Sequence, residues 1–220
     1  MMAYHHRDLR FALIEAASAL VAEGQGFDFS LREVARRAGV SHNAPYNHFA
    51  DKRELMGEVA ASGFRLLYKH LLDATENEMD VQVALLLFAK AYLSFARVNP
   101  ALYRLMFGPH LAVGFRSRPG STLEAGELTK TVLIRLLRQG ASDGSIAIPQ
   151  DNGSAVEGAH LPIWAMFHGL ASLVIDEKAE TEVSDDEIAV AAVDLLLKGL
   201  FGTAEKKGSN KWLKTTPASR

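Results

Sequence analysis

Residues 31–52 read LREVARRAGVSHNAPYNHFADK, and this stretch decides how the rest of the chain is interpreted. Ser30, just before it, and Glu33 have the spacing of a capping box, in which two side chains satisfy free backbone N–H groups at a helix start. The apolar residues recur at helical spacing and define one buried face: Leu31, Val34, Ala35 and Ala38. Gly39 stands where the chain must turn, because a positive φ costs glycine little. The stretch therefore begins with a short helix that ends in a tight turn.

A second short helix is expected from residue 42 to about residue 48, with Ser41 as its N-cap. This helix has almost no aliphatic residues to bury, so it must contact something else. Its first turn carries residue types that read base edges in the major groove: His42, Asn43 and Ala44. Side chains with donors suited to phosphate oxygens follow: Tyr46, His48 and Lys52. The pattern predicts a DNA-binding helix-turn-helix, and the alternative is a helical hairpin inside an ordinary bundle.

Residues from about 8 to 56 resemble the N-terminal domain of the TetR family of transcriptional regulators. The resemblance rests on the run over residues 31–49 and on DKREL at residues 51–55. It implies contacts to bases or nearby phosphates by Arg32, His42, Asn43 and Ala44. It implies contacts to the DNA backbone by Ser41, Tyr46, His48 and Lys52. Pro45 stands where many members carry leucine and removes an early helical hydrogen bond, which leaves the individual base contacts open.

The composition is that of one or two soluble globular domains: 220 residues, 48% hydrophobic and 23% charged. The absence of cysteine excludes disulfides and cysteine-bound zinc. No uninterrupted run of 18 apolar residues and no signal-peptide pattern occur, so we expect a cytoplasmic protein without membrane spans. The net charge is −2, but residues 30–53 carry five Lys/Arg against two acidic residues. A basic head on an acidic body is compatible with a DNA-binding protein, because the distribution of charge matters more than its sum.

The chain is predicted to be all-α, with a three-helix head on a helical-bundle body and about nine helices in all. Helices are expected near residues 9–21, 31–38, 42–48, 52–76, 80–98, 101–107, 121–141, 155–176 and 185–201. Residues 1–53 would form the DNA-binding domain and residues 54–202 a ligand-binding and dimerisation domain. Residues 203–220 carry five Lys/Arg against one Glu and are expected to be disordered.

The body resembles a C-terminal type within the TetR family that is named for a Trp–His–Gly signature. The resemblance is carried by residues 95–107 and by Trp164 with the run over residues 168–173. It implies a homodimer built on helices 155–176 and 185–201, and a small-molecule effector that is not identified. Candidate pocket residues are the aromatic, Met and His side chains of the body: Phe64, Tyr68, Phe88, Tyr92, Tyr103, Met106, Phe107, His110, Trp164, Met166 and His168. Each of them is also compatible with ordinary core packing.

Other chemistry finds little support in the sequence. Glu157 and His160 have the spacing of a di-iron ligand pair, but no second Glu-x-x-His occurs, so we expect no metal. There is no glycine-rich phosphate loop and no nucleophile elbow, so we expect no cofactor and no catalysis. With the resemblance, the sequence predicts a ligand-responsive regulator that acts as a repressor, and as a homodimer, on a near-palindromic operator; a regulator that activates has the same sequence features. The alternative is an all-helical enzyme or small-molecule-binding protein without a DNA function.

Overall fold

The computed structural model describes residues 6–24, 26–111, 118–148, 153–178 and 182–201. Within these ranges the chain forms eight α-helices, two 3₁₀ helices and no strand, which confirms the all-α prediction. The α-helices are α1 His6–Ala22, α2 Leu31–Arg37, α3 Lys52–Thr75, α4 Val81–Val98, α5 Pro100–Phe107, α6 Gly120–Asp143, α7 Ser154–Ile175 and α8 Asp185–Phe201. The 3₁₀ helices are Ala44–Asn47 and Pro109–Leu111. The predicted disordered segment, residues 203–220, lies outside the described residues.

The head consists of α1, α2 and the first 3₁₀ helix, packed on the start of α3. The capping box is confirmed: the Glu33 amide donates to Ser30 Oγ at 3.2 Å, and the Ser30 amide donates to Glu33 Oε2 at 2.6 Å. Gly39 makes the turn with a φ of +68°. The apolar faces meet in a small core that contains Leu13, Ala17, Leu20, Val34, Ala35, Phe49 and Leu55. Local capping and the buried stripe therefore build the head as the sequence predicts.

The expected second helix is shorter than predicted and tighter than an α-helix. The chain forms a 3₁₀ helix at Ala44–Asn47, and Ser41 does not cap an α-helix. Pro45 explains the difference, because it lacks the N–H that would reach the carbonyl of Ser41 four residues earlier. That carbonyl accepts from the Ala44 amide instead, at 3.0 Å, which is the three-residue pattern of a 3₁₀ helix.

The long helix α3 joins the head to the body. Asp51 caps it by accepting from the Glu54 amide at 2.8 Å, and Glu54 accepts in return from the Ala50 amide at 2.7 Å. The predicted domain boundary after residue 53 falls in the first turn of α3, so the two regions share one continuous helix. Gly63 of α3 faces α5, where an added Cβ would lie 2.6 Å from Met106 Sδ. Glycine here lets the two helices touch.

The body is a bundle in which α3 packs along α6 and α4, and α4 also packs against α7 and α8. By length and mean hydropathy, α4 and α7 could each cross a membrane. The apolar side chains of α4 are largely enclosed by the bundle, as in the core helix of a globular domain. In contrast, only 28% of α7 is buried within the single chain. The last two helices thus leave apolar surface uncovered.

Candidate functional site

The turn before the first 3₁₀ helix presents polar side chains to solvent. Ser41, His42 and Asn43 are exposed, and Tyr46 on the 3₁₀ helix is 55% exposed. Arg32 is exposed on α2, which packs against the 3₁₀ helix. Five of the eight residues that are predicted to contact DNA therefore lie outside the core of the head. They belong to α2, the following turn and the first 3₁₀ helix, a short segment held by the capping box and Gly39.

The position of Ala44 differs from the sequence prediction. It is 7% exposed and, with Pro45, it packs into the head. The tight 3₁₀ turn directs these two residues inward, whereas an α-helix starting at residue 42 would have placed Ala44 in its exposed first turn. Its methyl group is therefore buried in the free protein, whereas a contact with a base needs it exposed, so that contact stays a prediction.

Lys52, which is predicted to contact DNA, is also held by contacts within the head. Its ammonium donates to the carbonyl of Phe27 and lies 5.0 Å from the centre of the Phe29 ring. The cation–π contact and the hydrogen bond tie the segment before α2 to the start of α3. His48 is half-buried beside Phe49. The phosphate contacts expected of Lys52 and His48 stay predictions, and Lys52 has a structural role that the sequence pattern does not indicate.

The body contains a partly open cavity of about 530 Å³, a size that suits a small organic ligand. Helices α3, α4, α5, α6 and α7 all contribute to its walls. The apolar and aromatic lining consists of Phe64, Leu67, Leu71, Phe88, Tyr92, Phe107, Leu133, Leu161 and Trp164. The polar lining, with one glycine, consists of Arg118, Thr122, Gly126, Glu127, Thr129, Lys130, Glu157, His160 and His168.

Six of the predicted pocket residues line this cavity: Phe64, Phe88, Tyr92, Phe107, Trp164 and His168. Five predicted residues do not: Tyr68, Tyr103, Met106, His110 and Met166. Met106 is fully buried against Gly63, where the glycine leaves room for its sulfur. Tyr103 is fully buried behind the wall. The pattern of aromatic and Met residues therefore indicated helices that line the cavity. It could not distinguish the helix face that lines the cavity from the face that packs in the core.

Four polar side chains form a hydrogen-bonded chain at the aromatic wall. Trp164 Nε1 lies 3.2 Å from the hydroxyl oxygen of Tyr92, which lies 3.1 Å from that of Tyr103. The Tyr103 hydroxyl lies 2.6 Å from Nδ1 of His168. Burial raises the pKa of Tyr92 to about 12, raises the pKa of Tyr103, and lowers the pKa of His168. All of these groups are therefore neutral near pH 7.

The charged groups of the cavity lie on α6, α7 and the segment before α6. Lys130 Nζ is 3.1 Å from Glu157 and 3.8 Å from Glu127, so its charge is already paired. Burial, and secondarily the charge of Lys130, lowers the pKa of His160. Glu157, which has the spacing of a metal ligand, thus pairs with a lysine. Within the described residues, no group of three His, Asp or Glu side chains could hold a metal ion.

Arg118 lines the cavity and caps α5. Its guanidinium donates to the carbonyls of Met106, Phe107 and Gly108, which satisfies backbone acceptors that a helix C-terminus leaves free. Burial lowers the pKa of Arg118, although an arginine keeps its charge at any ordinary pH. Neither Arg118 nor the α6 residues could be identified from the sequence, since a single arginine in a glycine- and proline-rich stretch carries no recognisable pattern.

His110 lies at the junction of head and body. Its ring centre is 4.3 Å from that of Phe27, and the neighbouring carbonyl of Leu111 accepts from Arg53 Nε at 2.8 Å. A small recess there is lined by Phe27, Asp28, Lys52, Arg53, Met56, Leu105, His110 and Leu111. His110 does not line the cavity of the body, because the second 3₁₀ helix carries it toward the head.

Comparisons with known proteins agree with this architecture. Residues 13–59 match the family described as bacterial regulatory proteins, tetR family, and residues 85–196 match the tetracyclin repressor-like C-terminal domain. The nucleoid occlusion factor SlmA of Aliivibrio fischeri (strain MJ11) is 28% identical over 159 residues, which cover 68% of this chain and 81% of SlmA.

Two solved structures show the same fold. A protein of unknown function from Rhodococcus sp. RHA1 is 34% identical, with a TM-score of 0.74 over 91% of this chain and 99% of that one. The regulator FadR of Bacillus subtilis, solved in complex with stearoyl-CoA, is 16% identical, with a TM-score of 0.69 over 86% and 98% of the two chains. With both of its regions matched by family models, the chain belongs to the TetR family of transcriptional regulators.

Proposed function

We propose that this TetR-family protein is a ligand-responsive repressor that binds a near-palindromic operator as a homodimer. The observation that carries the proposal is the combination, in one chain, of an exposed polar turn on the head and a mostly apolar cavity in the body. The continuous helix α3 joins the two regions, so a change around the cavity has a direct mechanical route to the head.

The DNA contacts follow from exposure and chemistry. Asn43 and His42 stand exposed where base edges would be read, and an asparagine can pair bidentately with adenine. Arg32, Ser41 and Tyr46 supply donors for phosphates and nearby groups, with His48 and Lys52 at the edge of the surface. Phosphate contacts would position the head, and the turn around Asn43 would supply the sequence preference.

The dimer is supported by the uncovered apolar surface of the last two helices. Leu161 and Leu173 on α7 are 60% and 45% exposed, and Val190 and Leu195 on α8 are 49% and 68% exposed. An exposed apolar patch of this kind marks an interaction surface. Pairing of α7 and α8 with a second copy would cover it and set two heads at a fixed spacing, as a palindromic operator requires.

The effector is proposed to be a small, largely apolar molecule that occupies the cavity and favours a conformation with lower DNA affinity. Such a molecule shifts the equilibrium only if it binds that conformation more tightly. FadR was solved in complex with stearoyl-CoA, so the same fold can hold a ligand that carries a long acyl chain. The protein would act in the cytoplasm, on DNA, without catalysis and without a resident cofactor or metal. A small-molecule-binding protein without a DNA function, or an enzyme, is the alternative.

The test is selection of bound duplexes from a randomised DNA library, followed by affinity measurements on the selected duplex at several salt concentrations. We expect an inverted repeat whose affinity falls steeply with salt, because bound Lys and Arg side chains release counterions from DNA. Sedimentation of the complex should give two chains per duplex. The absence of any enriched sequence with refolded, ligand-free protein would contradict the proposal and favour the alternative.

A further inference from the structure

We propose that the effector is an organic anion with an apolar body, and that the guanidinium of Arg118 binds its carboxylate. The proposal rests on the effector role assigned to the cavity under the proposed function, and it names the chemistry of that effector. Among the described residues, Arg118 is the charged group of the lining that no opposite charge in the protein balances.

The guanidinium of Arg118 is held by dipoles and not by a carboxylate. Its hydrogen-bond acceptors are the backbone carbonyls of Met106, Phe107 and Gly108, which end α5. A helix C-terminus offers roughly half an elementary negative charge, so it balances only part of the cation. Burial lowers the pKa of Arg118, and no described acidic side chain counters that shift. The cation stays half-buried and only partly compensated, which favours an anionic ligand.

Arg118 also has more donors than its acceptors use. A guanidinium carries more N–H groups than the three carbonyls accept, and the buried Nε has no acceptor among the described residues. Because Nε is shielded in the free protein, a carboxylate reaches it only when the guanidinium turns away from part of the α5 end. Such an exchange replaces a bond to a neutral carbonyl by a bond between two charged groups, which is about twice as strong.

Lys130, the other cation of the described lining, is already paired. Its Nζ lies 3.1 Å from Glu157 and 3.8 Å from Glu127. The side chains of these two glutamates are 47% and 60% exposed, so this end of the cavity faces solvent, which screens its charges. An anion would meet two carboxylates at the Lys130 end of the cavity and none among the described partners of Arg118.

His160 is a second polar group of the lining without a hydrogen bond to a described residue. It is 8% exposed, and burial, followed by the charge of Lys130, lowers its pKa. The imidazole is therefore neutral near pH 7 and supplies no charge for an anion. Arg118 precedes the first residue of α6, whereas Lys130, beside His160, lies about 15 Å further along that helix. His160 would contact a different part of the ligand from Arg118, where a neutral polar group suits it.

The position of Arg118 also connects the ligand to the head. The second 3₁₀ helix directly follows the carbonyls that Arg118 binds. In that helix the ring of His110 packs on Phe27 at 4.3 Å, and the carbonyl of Leu111 accepts from Arg53 at 2.8 Å. A carboxylate that turns the guanidinium would therefore change the contacts of a segment that touches the DNA-binding region.

The ligand chemistry is tested on the full-length wild type with 4-phenylbutyrate, 4-phenylbutyramide and 4-phenylbutylamine. These probes share an apolar body and differ in the charge at one end, and calorimetric titration near pH 7 gives their affinities. We expect the acid to bind at least about tenfold more tightly than the amide, the size of one hydrogen bond to a charged group, and the amine to bind most weakly. Equal affinity of acid and amide, no binding of the acid, or tighter binding of the amine would overturn the proposal.

The residue is tested with Arg118→Met, which keeps an apolar stem and removes the guanidinium. His160→Phe is the matched control, because His160 is the other group of the lining without a described partner. We expect the acid-to-amide ratio to fall about tenfold in Arg118→Met and to stay within about twofold of the wild type in His160→Phe. An unchanged ratio in Arg118→Met, or a ratio lost in His160→Phe, would overturn the assignment to Arg118.

Arg118→Lys keeps the measurement possible if Arg118→Met does not fold. Lysine retains the charge but lacks the parallel N–H groups of a guanidinium, so the acid-to-amide ratio should still fall. An unchanged ratio in that variant would overturn the assignment.

Binding to the selected operator duplex is measured on the same preparations. Operator binding by the wild type without any preference for the acid would reject the effector chemistry alone. Absence of operator binding would reject the proposed function, whatever the order of the three ligands.

Discussion

In the head, polar side chains stand on the outside of a small filled core, whereas in the body they line the inside of a cavity. Tyr46 and Asn43 are exposed, and neither belongs to the core of the head. Tyr103 and Tyr92 are fully buried, and their hydroxyls connect α4, α5 and α7. The contrast predicts that DNA binding and stability can be changed separately at Tyr46 and Asn43, whereas a change at Tyr92 affects the cavity wall and the packing together.

The largest effect is expected from a variant that disrupts the core of the head and leaves its surface residues unchanged. Phe49→Ala removes a ring that is 1% exposed and should lower the free energy of unfolding by about 3–5 kcal/mol, through lost burial and a cavity. Chemical denaturation measures it. Phe11→Ala is the matched control, because Phe11 is 63% exposed and its loss should change stability by less than about 0.5 kcal/mol. Equal losses for both would show that the head core is not where the structure places it.

Removal of one tyrosine hydroxyl from each region compares the head with the body directly. Tyr103→Phe removes the hydroxyl between Tyr92 and His168 and should lower the free energy of unfolding by about 1–3 kcal/mol, because buried partners lose their hydrogen bonds. Tyr46→Phe should leave stability within about 0.5 kcal/mol and weaken binding to all DNA sequences. Thermal unfolding and operator titration of both variants give the comparison. A destabilised Tyr46→Phe variant would contradict the separation of function from stability in the head.

Asn43→Ala should alter sequence preference without altering the fold. If Asn43 pairs with a base, the variant should bind the selected operator about tenfold more weakly and lose discrimination at one position of each half-site. Competition with operator variants measures this, and circular dichroism checks the fold. An equal loss on every sequence would assign Asn43 to the DNA backbone.

The smallest expected effect is a pH dependence that belongs to the body. Burial lowers the pKa values of His160 and His168, so below about pH 6.5 the unfolded chain takes up protons that the folded chain resists. The free energy of unfolding should therefore fall as the pH drops below that value, by at most about 1.4 kcal/mol per pH unit for each histidine. Urea titrations at pH 7.5, 6.5 and 5.5 measure the slope, and His168→Phe should reduce it. An unchanged slope in that variant would show that His168 does not contribute to the pH dependence of the stability.

The head could be predicted from sequence because its determinants are contiguous. The capping box, the apolar stripe and Gly39 act within ten residues, and the structure confirms all three. The prediction failed only where Pro45 tightened the second helix and turned Ala44 inward. The difference has a local physical cause, because the missing backbone N–H of Pro45 changed the hydrogen-bond pattern.

The cavity could be predicted only in part, because five helices contribute to it. The pattern of aromatic residues indicated the right helices, yet Met106 and Tyr103 lie outside the cavity. Met106 of α5 packs against Gly63 of α3, and no periodicity within α5 records that contact. Arg118 could not be predicted as a helix cap, since its acceptors are ten to twelve residues earlier in the chain.

The indole of Trp164 also has an optical consequence. The sequence has two tryptophans, and the second, Trp212, lies outside the described residues. A Trp212→Phe variant would leave Trp164 as the only indole, hydrogen-bonded to Tyr92 and stacked on His168 at the cavity wall. Its fluorescence would then report on the cavity alone, so that candidate effectors could be screened by emission wavelength in the unlabelled protein.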